Sequence, residues 1–173
     1  MKNGLFKIVA LLAPMAALAQ APVPAPAAPK GLAVVARSLG VRACLASIES
    51  AEKALLAGRE YSVRAFADPK EPDAAIFSAI VDSRKVGTNE RLLVNLTVSP
   101  VGFPPKRCVV TFEQTQYHEQ RCEAVLAQMA PQAAPAPGAA IGALTVDVSR
   151  NLAITVVPVG AGHCVSVIKE AAY

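Results

Sequence analysis

The sequence predicts an α+β fold built from two tandem repeats, each a helix followed by about three antiparallel strands. The first observation is an internal sequence repeat. Residues 97–102 (TVSPVG) and residues 155–160 (TVVPVG) are nearly identical, and a cysteine follows each copy. The second observation is that the spacing of apolar residues in each half changes from a helical to a strand period. Each half has one cysteine in its helical part and one in its strand part. Two such units most simply form one antiparallel sheet with both helices on one face and two disulfides.

Residues 1–19 have the organisation of a secretory signal peptide. Lys2 and Lys7 supply the positive start, an apolar stretch follows, and residues 17–19 (ALA) form a small-residue cleavage site. Residues 20–31 are rich in Ala and Pro, which predicts an extended, semi-rigid spacer. We therefore expect an exported protein, periplasmic or secreted, that is not inserted in a membrane once the signal peptide has been removed.

Residues 32–173 are predicted to form a single domain, with the first repeat at 38–113 and the second at 114–170. The chain has 17 Lys+Arg and 13 Asp+Glu. Loss of Lys2 and Lys7 with the signal peptide leaves 15 basic against 13 acidic residues, a net charge of +2. The charges are scattered and no basic cluster is interleaved with aromatic residues. This composition gives no support for a nucleic-acid partner.

The first repeat is predicted to begin with a helix over residues 38–57. Apolar residues recur there at spacings of three and four, Ser38 is a suitable N-cap, and Gly58 is a suitable residue after the helix. Pro100 is expected to end a strand, because proline cannot donate to a ladder. Segments of apolar and β-branched residues predict strands at 61–67, 76–82, 92–99 and 109–113.

The second repeat is predicted to begin with a helix over residues 116–129, with Thr115 as its cap and Cys122 on its apolar side. Pro158 is expected to end the middle strand, as Pro100 does in the first repeat. Arg150-Asn151 predicts a tight hairpin turn. The strands of this repeat are predicted at 144–149, 152–157 and 165–169.

Four cysteines in an exported chain predict two disulfides, for which three pairings are possible. All three are compatible with the symmetry of a duplication. We favour Cys44–Cys108 with Cys122–Cys164, since each repeat is then self-contained. The alternative is a zinc site that uses His118 and Cys122, which are four residues apart on the predicted helix, with His163 beside Cys164. Because no close cysteine pair occurs and export favours disulfides, we expect no metal and no other cofactor.

The motifs of common enzyme classes do not occur in this sequence. There is no Gly-x-Ser-x-Gly elbow, no phosphate-binding glycine loop and no His-Glu-x-x-His motif. We therefore expect a non-enzymatic domain that binds another macromolecule, as an inhibitor or an accessory subunit, with an extracytoplasmic protein as the partner. Two alternatives remain open. One is a structural envelope component tethered by the Ala/Pro spacer, and the other is a small-molecule or metal binder.

The predicted partner-binding residues lie where the two repeats differ. Before its second cysteine the first repeat has FPPKR, where the second repeat has only AGH. Phe103, Lys106 and Arg107 combine an aromatic ring and two cations on a proline-stiffened loop, a composition suited to gripping a partner. Tyr117, in the polar approach to the second helix, is the fourth candidate. The alternative interpretation is a variable hairpin tip without a partner.

Overall fold

The structure is a computed structural model that describes residues 31–102, 107–132 and 142–172. Within these residues, three helices accompany one seven-stranded antiparallel sheet, which confirms the predicted α+β class. In chain order the elements are α1 (Leu32–Ser38), α2 (Leu45–Leu56), β1 (Arg59–Phe66), β2 (Phe77–Lys85), β3 (Arg91–Val101), β4 (Arg107–His118), α3 (Cys122–Met129), β5 (Leu144–Ser149), β6 (Leu152–Pro158) and β7 (Cys164–Ala172).

The sheet consists of two meanders joined at its centre. Its strand order is β1-β2-β3-β4-β7-β6-β5, so that each meander places sequential strands side by side. The joint is the antiparallel pairing of β4 with β7, which runs from Val110 opposite Ala172 to His118 opposite Cys164. β4 is therefore paired along both sides, with β3 on one and β7 on the other.

The first core cluster lies between α1, α2 and the strands of the first meander. Side chains of β3 alternate between buried and exposed over most of its length, as expected of a strand with one covered face. Leu96 and Val98 are almost fully buried there, together with Ile48 of α2 and Leu32 of α1. Apolar burial of this kind is the main stabilising contribution to the fold.

A second core cluster lies between α3 and the second meander. Val125 of α3 packs with buried residues of β5 and β6, among them Val146 and Ile154. Directly opposed residues of antiparallel strands point to the same side of the sheet. Val94 lies opposite Gln114, Gln114 opposite Ile168, and Ile168 opposite Ile154, so these four residues point to the same side of the sheet.

The predicted helix over 38–57 is wrong in its first part. Ser38 ends α1 instead of capping a helix, and its hydroxyl donates to the carbonyl of Val35 at 2.7 Å. The chain then turns at Gly40, whose φ of +88° is incompatible with a continuous helix. The last part of the prediction agrees with α2, which ends just before Gly58, a residue with a φ of +71°.

The predicted helix over 116–129 is also wrong in its first turn. Residues 116–118 belong to β4, and Thr115 is not a cap, because it lies opposite Leu93 on one side and Val167 on the other. Pairing along both sides of β4 outweighs the helical pattern of these polar residues. α3 itself begins at Cys122.

The proline predictions had different outcomes. Pro100 does not end its strand, since it lies opposite Cys108 and β3 continues to Val101. Pro158 is the last residue of β6, as predicted. The strands predicted at 144–149 and 152–157 agree with β5 and β6 to within one residue.

The structure joins Cys44 to Cys108 and Cys122 to Cys164, the two pairs that the sequence favours. Each bond connects the start of a helix to a strand: α2 to β4 in one case and α3 to β7 in the other. Two disulfides fit an oxidising, extracytoplasmic environment. The predicted signal peptide and residues 20–30 of the spacer lie outside the described residues. In the described ranges, every helix is too short or too polar to cross a membrane.

Candidate functional site

The structure does not bring the predicted partner-binding residues together. Phe103 and Lys106 lie outside the described residues. Arg107 begins β4 and is exposed, whereas Tyr117 lies near the other end of the same strand. Ten residues of extended chain separate these two by about 33 Å, although both point to the same side of the sheet. They cannot belong to one small contact patch.

Tyr117 is instead coupled to the second meander. Its hydroxyl hydrogen-bonds to Nδ1 of His163 at 2.8 Å, and the two rings are stacked with their centroids 5.6 Å apart. Tyr117 remains 54% exposed in this position. The contact ties the end of β4 to the connection between β6 and β7, and sequence reasoning gave no indication of it.

His118 points to the opposite side of the sheet from Tyr117. Its Nε2 lies 2.8 Å from the hydroxyl of Ser166, a residue that is only 1% exposed. Burial lowers the pKa of His118, and the nearby Glu90 carboxylate acts in the opposite direction. The Ser166 hydroxyl is therefore shielded from solvent.

The zinc alternative loses its geometric basis in this structure. His118 lies on β4 and Cys122 on α3, so the two residues do not share a helix face. The sulfur of Cys122 is bonded to Cys164 and is therefore not a thiolate ligand. Within the described ranges, no three His, Cys, Asp or Glu side chains are grouped in a way that could hold a metal ion.

An open groove of about 610 Å³ runs between α2 and the centre of the sheet. We call it the α2 groove. One wall is the side of α2 that carries small residues, the floor is formed by β4, and the far side is the end of β7. Its lining residues are Ala46, Ser47, Ser50, Ala51, Ala54, Leu55, Cys108, Val110, Phe112, Gln114, Glu170 and Ala172.

Local sequence explains why the α2 groove is open. Ser50 and Ala54, four residues apart and therefore on one side of the helix, are exposed and small, and they leave space above the strands. Phe112 lies on the floor and is only partly buried. The bond between Cys44 and Cys108 anchors the start of α2 to the strand that forms the floor, and so holds the wall in place.

The described residues that line the α2 groove are mostly apolar and include one carboxylate, Glu170. Glu170 lies opposite Phe112 on β4 and opposite Leu152 on β6, which places it at the edge of the floor. Its side chain forms no ion pair with any described residue. A ligand that combines an apolar group with a cation would fit both features, because a charge-assisted contact to Glu170 would add to the burial of Phe112.

Sequence reasoning missed the α2 groove, although part of its signal was present. The two-residue period of β4 places Cys108, Val110 and Phe112 on one side of a strand. Nothing in the sequence placed Glu170 beside them, because that contact depends on the pairing of β4 with β7. No protein-family model, curated protein or solved structure matches this chain.

Proposed function

We propose that this chain is an exported, non-enzymatic binding domain whose α2 groove holds a peptide segment of an extracytoplasmic protein. The observation that carries the proposal is the pairing of a partly exposed aromatic floor, Phe112, with the Glu170 carboxylate, which has no ion-pair partner among the described residues. Apolar pockets with a few well-placed polar groups are typical ligand sites. Together these groups favour an apolar side chain flanked by Lys or Arg.

The dimensions of the floor set the length of the ligand. From Cys108 to Gln114 the strand spans about 20 Å, which accommodates an extended segment of about six residues. Because β4 is already paired along both sides, the segment lies across the face of the sheet and is recognised through side chains that enter the groove. A segment of this length buries one apolar side chain against Phe112 and Leu55 while a neighbouring cation reaches Glu170.

Rigidity supports a binding role. The Cys44–Cys108 disulfide attaches the start of α2 to β4, so the wall and the floor of the α2 groove are positioned before a ligand arrives. A preorganised site loses less conformational entropy on association, and more of the contact energy then contributes to affinity. The disulfides also support export, together with the signal-like residues 1–19 and the Ala/Pro spacer.

The two-repeat organisation is part of the same proposal. In this proposal, one repeat consists of α2 and β2–β4 and the other of α3 and β5–β7. In both repeats a disulfide runs from the start of the helix to the last strand. α1 and β1 are then additions to the first repeat. The register that points residues of both core clusters to one side of the sheet supports a duplicated sheet with its helices on that face.

A positional-scanning peptide library tests the proposal. We expect the mature domain, residues 20–173, to select peptides that combine an apolar residue with Lys or Arg. Ala54→Trp fills the α2 groove and should reduce their affinity at least roughly tenfold. Lys53→Trp is the matched control, since Lys53 is exposed on the same helix but does not line the groove. The affinity of Lys53→Trp for the selected peptides should equal that of the unmodified domain.

Charge reversal gives the second, independent measurement. Glu170→Lys should change the selected peptides from Lys or Arg to Asp or Glu at the charged position, because it inverts the sign of the one acid among the described residues that line the groove. The proposal fails if selected peptides bind Ala54→Trp and Glu170→Lys as tightly as the unmodified domain. It also fails if no peptide is selected.

The loop before Cys108 is the second candidate for partner contact, since it combines Phe103 with Lys106 and Arg107. The double substitution Phe103→Ala and Arg107→Ala separates it from the α2 groove. If the loop is the site, this variant loses binding that Ala54→Trp retains. The structural-envelope alternative predicts a third outcome. Deletion of residues 21–29 then abolishes function, whereas Ala54→Trp and the double variant Phe103→Ala/Arg107→Ala remain functional.

A further inference from the structure

We propose that two copies of this chain associate through the free edge of β1, in an antiparallel pairing centred on Ser62. β1 is the terminal strand of the sheet and pairs with β2 without interruption, from Arg59 opposite Lys85 to Phe66 opposite Ser78. No described residue outside β2 makes a backbone hydrogen bond to Arg59–Phe66. A regular edge without proline presents unpaired N–H and C=O groups to another strand.

The other edge of the sheet is less suitable for such pairing. β5 has only six residues, and its register with β6 shifts between Asp147 and Ser149. Bulges and short lengths are among the devices by which proteins protect sheet edges from association. β1 is longer, with eight residues, and has no such irregularity. Because β1 is longer and more regular than β5, its edge is the more suitable one for the addition of a strand.

Charge complementarity identifies a second copy as the occupant. With Ser62 opposite Ser62 of the second copy, Glu60 lies opposite Arg64 of that copy, and the two-fold axis produces this pair twice. Glu60 and Arg64 are both exposed on the side of the sheet away from the core. Arg64 makes no ion pair with any described residue, because it lies opposite Ile80 within its own sheet. The second copy supplies a carboxylate to Arg64, namely its Glu60, which within its own copy also contacts Arg84 at 2.8 Å.

The side that faces the core is complementary in the same register. Tyr61 lies opposite Val63 of the second copy, and Val63 opposite Tyr61. Both are only partly buried in one copy, although they pack against the first core cluster, because no strand of the described residues lies beyond β1. Aromatic and β-branched residues form favourable cross-strand pairs. On both sides of the joined sheet, the residues of β1 thus lie opposite complementary residues of the second copy.

Neighbouring registers lose this complementarity. A shift by two residues in one direction places Glu60 opposite Ser62, and in the other direction opposite Phe66. In either case Arg64 meets no carboxylate. A strand-to-strand joint buries a small area, so we expect a dimer that dissociates in the micromolar range.

Sedimentation equilibrium of the mature domain tests the charge pairing. Glu60→Arg and Arg64→Glu each place like charges opposite one another twice, and each should weaken the dimer roughly tenfold or more. The combined variant Glu60→Arg/Arg64→Glu restores opposite charges and should recover the unmodified dissociation constant. Arg91→Ala is the control, because Arg91 lies on β3 and pairs with Asp82 at 3.5 Å, so its removal leaves the charges of the β1 edge in place and should not affect association.

Crosslinking tests the register. Ser62→Cys places two thiols opposite each other at the axis, within the distance that a disulfide requires, and should produce a covalent dimer on oxidation. Ser149→Cys on the exposed edge of β5 is the matched control and should remain monomeric. A domain that is monomeric at all concentrations, or a dimer that none of the β1 substitutions changes, overturns the proposal. Ala54→Trp should leave the dimer intact, so failure of the groove is distinguishable from failure of the edge.

Discussion

The carboxylate of Asp73 accepts a hydrogen bond of 2.8 Å from the backbone N–H of Ala43, and the same oxygen accepts one of 2.5 Å from Arg42. Both donors lie just before α2, whose start has no side-chain cap of its own. Asp73, from the connection between β1 and β2, therefore performs the role of a cap from a distant part of the chain. These two bonds lower the pKa of Asp73.

Replacing this carboxylate should destabilise the domain. We expect Asp73→Ala to reduce the free energy of unfolding by about 1 kcal/mol, the usual effect of losing a helix cap. Because the folded-state pKa lies below the unfolded value of about 3.9, the contribution is present above that value. It is lost as the pH falls through the folded pKa. Urea unfolding at neutral and acid pH measures both effects.

The control for Asp73 is Asp147→Asn, since Asp147 is exposed on β5 and forms no hydrogen bond through its side chain to a described residue. The difference in stability between the unmodified domain and Asp73→Ala should shrink at acid pH, while Asp147→Asn should show no difference at either pH. A constant difference between Asp73→Ala and the unmodified domain across the pH range would contradict the assignment.

The second prediction concerns Tyr61, whose hydroxyl donates to the carboxylate of Glu52. Burial, and then the hydrogen bond and charge of Glu52, raise the pKa of Tyr61 to about 12. The neutral phenol is thus favoured in the folded state, and its contribution is complete below the unfolded pKa of about 10. Stability should decrease as the pH rises from there through the folded value.

A phenolate absorbance titration measures this directly. Tyr61→Phe should remove the step at the highest pH, and Tyr117→Phe should leave it in place, because Tyr117 is largely exposed. We also expect Tyr61→Phe to reduce stability by about 1 kcal/mol, the net value of a typical hydrogen bond. If the highest step persists in Tyr61→Phe, the contact with Glu52 does not control this tyrosine.

The sequence was most informative where structure is local. The hairpin of β5 and β6 agrees with its prediction to within one residue, since a hairpin with alternating apolar residues is specified by neighbours, whereas β7 extends three residues beyond the predicted end at 169. The helix predicted through Gln116 failed because that residue pairs with Leu92 and with Ser166, the latter 50 positions away. A local sequence pattern cannot show that pairing with distant strands will outweigh the helical preference of these residues.

The candidate site shows the same limit. The apolar side of β4, including Phe112, could be predicted from its two-residue period. Glu170 and the wall of α2 come from other parts of the chain, so their position depends on tertiary packing. The proposed contact loop is a difference in sequence between the two halves, and such a difference does not indicate distance in the folded chain. Arg107 and Tyr117, which the sequence prediction grouped together, lie at opposite ends of one strand.

The third prediction is a loss of stability below neutral pH that depends on His118. Burial lowers the pKa of His118 below its unfolded value of about 6.5. The unfolded state therefore binds this proton more readily, and stability decreases as the pH falls through the unfolded and then the folded pKa. His118→Gln should remove this part of the slope. His163→Gln, at the exposed contact with Tyr117, should retain it; equal slopes in the two variants would exclude the effect.

The fourth prediction separates the two disulfides by function. Their sequence separations, 64 for Cys44–Cys108 and 42 for Cys122–Cys164, are similar on a logarithmic scale. Chain-entropy arguments then assign about 4 kcal/mol of stability to each. We expect the double alanine variants to lose comparable amounts in guanidinium unfolding. The two should differ in ligand binding, because only Cys108 lines the α2 groove.

Peptide affinity should therefore fall in Cys44→Ala/Cys108→Ala and remain close to that of the unmodified domain in Cys122→Ala/Cys164→Ala. The measurement is made at low temperature, under conditions in which circular dichroism shows both variants to be folded. The start of α2 is attached to its strand by the first bond alone, so its removal allows the wall of the groove to move away from Phe112. Equal affinity in both variants would mean that this bond does not position the wall.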